Sequence, residues 1–485
     1  MGSLFGFFSQ VLTAKYFGAN SGVDNFVVAS SYPLFFTGLI TISLNHYLVP
    51  EIIKRGNKET QSKFCSSIFV SFFAIFIMLS IAGYYLSPYQ LNYFSPLANK
   101  EFINIARLYW LTTALMPMMS LFQSMHIAKN NVSYVSKAHL IPVLTTILFY
   151  AFFRDSLGLS ILAYSLLAGN LINFLFLLQG NAQLIELSKI KIKDCFIISE
   201  FYKRLHLIGL SMLCYTIFQS SDVFWCKFLP DSSLSYLSYM QRFLVAFAAI
   251  NISTPIQLFL PMLSQHIKSG QSEEALKNIV KIFRFSVTII LFQCIFFYTF
   301  AENIIAVLFQ RGLFDSIAVS NVSNLLTLSI FSSIFYAASI IMLRFLFANG
   351  DYKITATSGL CMAVFYFILS GILSKFFGLV GIPIAYTISW VAYCIRLFSK
   401  TFSENLYLII SKENIYFIKN ILFSSIIFFI FSLLTRNFFL ILQQHQIFNL
   451  VQLAAMFLGL LVIYLILTIK IFPIQEVQTV FKRLF

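Results

Sequence analysis

The sequence predicts an all-α polytopic membrane protein with fourteen transmembrane helices. Three observations carry that expectation. The first is composition: 59% of the 485 residues are hydrophobic and 11% charged, against about 25% charged in soluble domains. The second is fourteen separate apolar stretches, each close to the roughly 20 residues a helix needs to cross a hydrocarbon core. They run without the period of two that a β-barrel requires. The third is the basic residues, which gather in alternate loops.

In chain order the apolar cores cover 2–17, 26–48, 64–86, 103–127, 138–153, 157–180, 205–226, 234–260, 285–308, 320–346, 355–374, 379–398, 416–434 and 448–469. The first is short and Met1 falls partway along it, as a missed upstream start or a clipped first helix would leave it. Loops after the even-numbered helices hold most of the cations, among them Lys54, Arg55, Lys58 and Lys63, then Lys189, Lys191 and Lys193, then Lys268, Lys277, Lys281 and Arg284. Cytoplasmic loops carry such an excess, so both termini are expected in the cytoplasm. An even number of spans agrees with that orientation. The net charge of +15 therefore reads as topology, and no nucleic-acid-binding motif accompanies it.

The chain also repeats itself. Ser221–Pro261 carries Asp222, Lys227, Arg242 and a closing Leu-Pro; Gln10–Pro50 carries Gln10, Lys15 and a closing Val-Pro. Asn131–Tyr134 parallels Asn349–Tyr352, and Gly158-Leu159 parallels Gly378-Leu379. Helices one to six thus match helices seven to twelve. Six is even, so the two lobes are parallel, related by an axis along the membrane normal. The expected domains are a six-helix lobe at 1–182, a basic cytoplasmic linker at 183–204, a second lobe at 205–402, and helices thirteen and fourteen with a cytoplasmic tail at 403–485. Two lobes about a seam suit a transporter working by alternating access. The seven cysteines lack metal spacing, and no P-loop or catalytic triad is evident, so neither an enzyme nor a cofactor or metal is expected.

Within the apolar stretches a few polar residues stand out. Arg242 is a cation inside a helix, a costly placement that marks function more often than structure. Asp222 reads either as an interfacial partner of Lys227 or as an ion site. Lys15 and Asp24 flank the first external turn. Arg107 reads as snorkelling to the outer interface. Gln123, His126, Asn45 and His46 read as satisfying one another across helices. Trp110, Trp225 and Trp390 read as interfacial anchors. Pro33, Pro117, Pro142, Pro255 and Pro383 read as helix-interior kinks.

Four motifs carry a family resemblance. They are Ala14-Lys-Tyr-Phe-Gly-Ala19 with Asp24 and Pro33; Asp222 through Arg242 to Pro261; Leu308-Phe-Gln-Arg-Gly-Leu-Phe-Asp315; and Phe347-Ala-Asn-Gly-Asp-Tyr-Lys353. In this order they resemble the MurJ/MviN family, the lipid II flippases of the multidrug/oligosaccharidyl-lipid/polysaccharide exporter superfamily. The resemblance implies a flippase of the bacterial inner membrane. It would move a polyprenyl-diphosphate-linked saccharide, lipid II or a related peptidoglycan precursor, from the inner to the outer leaflet. It implies substrate contacts at Arg242, Lys15, Asp24, Gln10 and Ser9, and ion coupling at Asp222 and Ser370 by a monovalent cation or the membrane potential. The expected partners are the lipid-linked substrate and membrane lipids, with the chain itself monomeric. Ser9 and Gln10 stand where the family carries an Arg-Asp pair, Thr37 where it carries an arginine, and Gln241 and Val245 where acids flank the helix-eight arginine. The cavity is thus less charged than the family pattern. An O-antigen or capsule-type oligosaccharide flippase stays open on that ground, as do an ion-coupled small-molecule exporter and an inactive paralogue.

Overall fold

In a computed structural model the described residues are nearly all helical, with no strand among them. These are 2–54, 58–95, 99–129, 131–179, 214, 217–218, 220–248, 272–349, 351–403, 405–438 and 446–478. The expected linker 183–204 lies outside them, as do Pro255 and Pro261. Residues group into two compact units, Met1–Ser235 and Tyr236–Phe485.

The first unit begins with α1 (Gly2–Phe17), α2 (Ser21–Lys54) and α3 (Lys58–Phe94). α4 (Lys100–Thr113) and α5 (Met116–Ala128) follow, where one helix had been expected. Next come the short α6 (Val132–Ala138), then α7 (Ile141–Leu157) and α8 (Ser160–Gln179). Helical residues 220–226 (α9) and 233–248 (α10) lead out of it. Pro117 and Pro142 sit in the first turns of α5 and α7. The backbone stays right-handed helical across both joints, at Ala114–Leu115 and His139–Leu140, so each proline marks a break inside a helical run, as the expected kinks would make it.

α2 packs on α4 and α5, α3 on α4, and α8 on α4, α5 and α7. The core of this unit holds Leu48, Phe64, Ile68, Phe72, Phe122 and Met125, all at most 3% exposed. Trp110 sets the α3–α4 contact. It is 5% exposed, its carbonyl accepts the Ser80 hydroxyl at 2.7 Å, and its ring occupies the place of a side chain at Gly83. A Cβ built on Gly83 would fall 2.0 Å from that ring. Trp390 is likewise buried, 4% exposed and edge-on to Tyr336 at 4.7 Å. Both tryptophans are therefore packing residues and not interfacial anchors. Arg107 lies over the Tyr84 ring at 4.8 Å, so its charge rests against α3.

The second unit contains α11 (Ser272–Thr299), α12 (Ala301–Phe309), α13 (Ser316–Ser329), α14 (Ser332–Asn349), α15 (Tyr352–Phe377), α16 (Gly381–Thr401), α17 (Lys412–Arg436) and α18 (Gln446–Ile466). Caps explain two of the starts. Asp315 Oδ1 accepts the Ala318 N–H at 2.8 Å, and Ser411 Oγ accepts the Asn414 N–H at 3.2 Å, each satisfying an orphan first-turn donor. α13 and α14 are bent by 48° at residues 330–331. α16 packs on α13, α14 and α15, and α11 on α14 and α17.

Among the described residues, seven stretches are long and apolar enough to cross a membrane, and the bent α13–α14 pair makes an eighth. One of the seven, Lys353–Thr401, is 49 residues long. As a single rod it would measure about 74 Å, more than twice a bilayer core. It is instead two helices folded back at Gly378, whose φ of 60° suits glycine. Gly158 adopts φ 51° and ψ −140°, and Gly378 φ 60° and ψ −140°. The two positions matched in the sequence repeat thus share one backbone turn.

One charged cluster ties helix ends together in this unit. Arg284, counted by the sequence among loop cations, is 5% exposed. Its Nε donates to Asn414 Oδ1 at 2.6 Å and its Nη1 to Glu476 Oε1 at 2.9 Å. α11, the start of α17 and the segment after α18 therefore meet at one guanidinium.

Candidate translocation and gating residues

The clearest construction lies where α2 begins. Asp24 is in the first turn of α2. The Ser232 N–H donates to its Oδ2 and the Ser235 N–H to its Oδ1, both at 2.6 Å. One carboxylate thus binds two amides at the mouth of α10, where unpaired N–H groups and the helix dipole favour an anion. Charge-assisted bonds of this length are the strong ones. Ser232 pays backbone strain for the arrangement: its φ is 72°, a left-handed conformation unfavourable for any residue with a Cβ. Nothing in the sequence links positions 24 and 232, apart from their each following a lysine and a polar turn.

Asp222 is buried on α9, 3% exposed. Lys227, offered by the sequence as a partner for Asp222, is exposed, with its ammonium 3.7 Å from the centre of the Tyr93 ring.

Lys15, at the end of α1, is exposed and lies 5.1 Å from the centroid of the Tyr16 ring. Arg154 of α7 reaches the same residue, donating to Tyr16 Oη at 3.0 Å. The sequence reading missed Arg154. Its signal was available only as one of few cations outside the basic loops. Ser9 is buried, and its carbonyl accepts the Thr13 hydroxyl at 2.9 Å. Gln10 is half-buried, and its Oε1 is a buried acceptor with no hydrogen-bond partner among the described residues. An unfilled buried acceptor costs about 1–3 kcal/mol, so this amide is suited to a ligand donor or a water.

In the second unit Arg242 is half-buried on α10. Tyr239, Met240, Phe243, Leu244 and Phe247 of that helix are buried, whereas Val245, one turn beyond Arg242, is 59% exposed. The guanidinium therefore belongs to the less covered face. Ser370 is fully buried on α15, and its hydroxyl donates to the Tyr366 carbonyl at 2.6 Å. Its oxygen lone pairs stay available, its proton does not. Tyr366 meets Tyr386 of α16 edge-on at 6.1 Å. His126 contacts the Leu177 carbonyl at 3.3 Å and stacks on Tyr134 at 4.4 Å, so its cross-helix partners are a backbone carbonyl and a ring rather than the polar side chains expected.

Comparisons with known proteins identify the family and the fold. A family model described as "Lipid II flippase MurJ" matches residues 13–449. A protein of Buchnera aphidicola subsp. Baizongia pistaciae (strain Bp), "Probable lipid II flippase MurJ", is 21% identical over 475 residues, covering 92% of this chain and 89% of its own. Among solved structures, "Lipid II flippase MurJ, inward closed conformation" superimposes with a TM-score of 0.79 at 18% identity, covering 96% of each chain. A multidrug resistance MATE family transporter of the MOP superfamily, in its inward-facing conformation, gives 0.69 at 12% identity over 85% of this chain and 96% of its own. These neighbours are transporters rather than enzymes, and their common fold is the one described above. The chain is a multi-pass membrane protein and belongs to the MurJ lipid II flippase family.

Proposed function

We propose that this chain carries lipid II, a polyprenyl-diphosphate-linked saccharide, from the inner to the outer leaflet of the bacterial inner membrane by alternating access. The observation that carries the reading is the pair of amides at Ser232 and Ser235 holding Asp24. A reversible carboxylate-on-amide latch at an outer helix end is what alternating access requires of a gate. Arg242 is the main cation for the diphosphate in transit. Moving an unpaired charge through the bilayer centre costs about 2.5–3.5 kcal/mol on insertion scales, and a guanidinium fork offsets this by binding phosphate bidentately. Lys15 adds a point charge near the outer end, and Ser9 and Gln10 offer neutral polar contacts to the headgroup.

Asp222 and Ser370 serve ion coupling in this scheme, with a monovalent cation or the membrane potential as the driving force. The chain acts as a monomer with fourteen spans and both termini in the cytoplasm. One observation favours a second reading. Gln10 presents an unfilled neutral acceptor where the family carries charge, which suits a related lipid-linked oligosaccharide of a surface polysaccharide.

Complementation separates the two. Rescue of a strain depleted of its lipid II flippase, lost on Arg242→Ala while membrane insertion persists, supports the first reading. Rescue only of an O-antigen or capsule flippase mutant supports the second. Normal flipping by Arg242→Ala removes that residue from its role.

A further inference from the structure

Two cations meet on one aromatic ring at the outer end of the first unit. Lys15 Nζ and the Arg154 guanidinium carbon each lie 5.1 Å from the Tyr16 centroid. They are therefore within about 10 Å of each other, roughly one Debye length at physiological salt, so their fields add. The ring is braced from behind. Tyr150 stacks on it at 5.8 Å with 23° between planes, and the Tyr150 hydroxyl is hydrogen-bonded to the buried Thr13 Oγ1 at 2.8 Å.

Arg154 is fixed as well, by the Tyr16 hydroxyl at 3.0 Å and by Asp155 Oδ1 at 3.2 Å. Arg154 is itself 46% exposed, and the contacts that orient it are the Tyr16 phenol and ring. Asp155 is 89% exposed, and a solvated acid neutralises little. The cluster therefore holds positive charge in excess of its acids. Its place, beside the turn between α1 and α2, is external in the charge-derived topology.

We propose that Lys15, Tyr16 and Arg154 form an exit subsite, which receives the diphosphate of the lipid-linked saccharide at the outer leaflet before release. The proposal rests on the transport reading above. Arg154 has donors beyond the two it uses and offers a planar fork; Lys15 offers a point charge. A diphosphate can place one phosphate against each. The phenol keeps the fork aimed.

The same chemistry would bind the phosphate of an outer-leaflet phospholipid, so the test carries both ligands. The full chain is purified in neutral detergent in an Arg242→Ala background, which removes the proposed central diphosphate contact. Affinity for farnesyl diphosphate and for phosphatidylglycerol is read by native mass spectrometry. Arg154→Gln is expected to weaken farnesyl diphosphate about tenfold, Arg154→Lys to recover part of it, and Tyr16→Phe to lose less than Arg154→Gln. Phosphatidylglycerol binding should change little. Circular dichroism and an unchanged melting temperature confirm folding. Undiminished diphosphate binding by folded Arg154→Gln overturns the subsite, as does an equal loss of phosphatidylglycerol, which marks a general lipid contact. Flipping is read with Arg242 intact: a chain that then flips no lipid-linked saccharide but shows the Arg154 effect sinks the transport reading alone. A chain that flips normally without the Arg154 effect sinks the subsite alone.

Discussion

At the scale of single residues, the latch and the Arg284 cluster have opposite logic. Asp24 accepts from two amides at a part-buried turn. Asp24→Asn keeps one acceptor and turns an NH2 toward the other donor. A hydrogen bond to a charged group contributes about 1.5–3 kcal/mol. Losing about 2 kcal/mol should speed amide exchange at Ser232 and Ser235 roughly 30-fold, measurable by hydrogen-exchange mass spectrometry. Ser232→Gly should act the other way, because the left-handed backbone costs a non-glycine about 1 kcal/mol; slower exchange there is the expected result. Arg284 is different because its partner Glu476 has a side chain only 13% exposed. Arg284→Ala leaves that carboxylate buried and unpaired, at a cost of about 3–5 kcal/mol. The melting temperature should fall sharply, and Arg284→Ala with Glu476→Ala should cost less than the two single changes added together. Sequence alone gave Asp24, Lys15 and Arg242 through the signature motifs. It did not give Arg154 or the depth of Arg284, because a cation at a helix end looks alike whether it meets water, a phenol 138 residues away or a glutamate 192 residues away.

At the scale of helices, apolar run length located the elements but not their joints. The stretch 103–127 reads as one helix, yet the chain breaks between α4 and α5. Proline at Pro117 is consistent with either an interior kink or a new first turn, and only packing decides. Trp110 and Trp390 depart from the anchor reading for the same reason: the facing surfaces of α3 and of α14 cover them. Gly83 is the sharpest element-level test. Because the group at 2.0 Å is the rigid ring of Trp110 rather than the tip of a flexible chain, Gly83→Ala has to part α3 from α4. Overpacking of this kind costs about 1–3 kcal/mol. A drop in melting temperature, with partial recovery when Trp110→Phe is added, is the expected outcome; no change would mean that the two helices separate freely.

At the scale of the whole molecule, the sequence repeat and the loop charges define a topology that single helices cannot. Reporter fusions are expected to place residues 54–63, 268–284 and the C-terminus in the cytoplasm, and the turns at 18–20 and 310–315 outside. A reporter at 310–315 that scores cytoplasmic would invert the second half and break the parallel repeat.

The glycine contacts carry a mechanical consequence. At Gly83 the neighbouring helix is met by a ring, at Gly169 by the backbone of Pro142 at 2.7 Å, and at Gly381 by the backbone of Leu373 at 2.3 Å from a would-be Cβ. Helix pairs meshed this closely have no slack for sliding. Each behaves as a stiff beam, and compliance is left to the joints: the break between α4 and α5 and the 48° elbow between α13 and α14. Bending within each unit is then expected at its own joint.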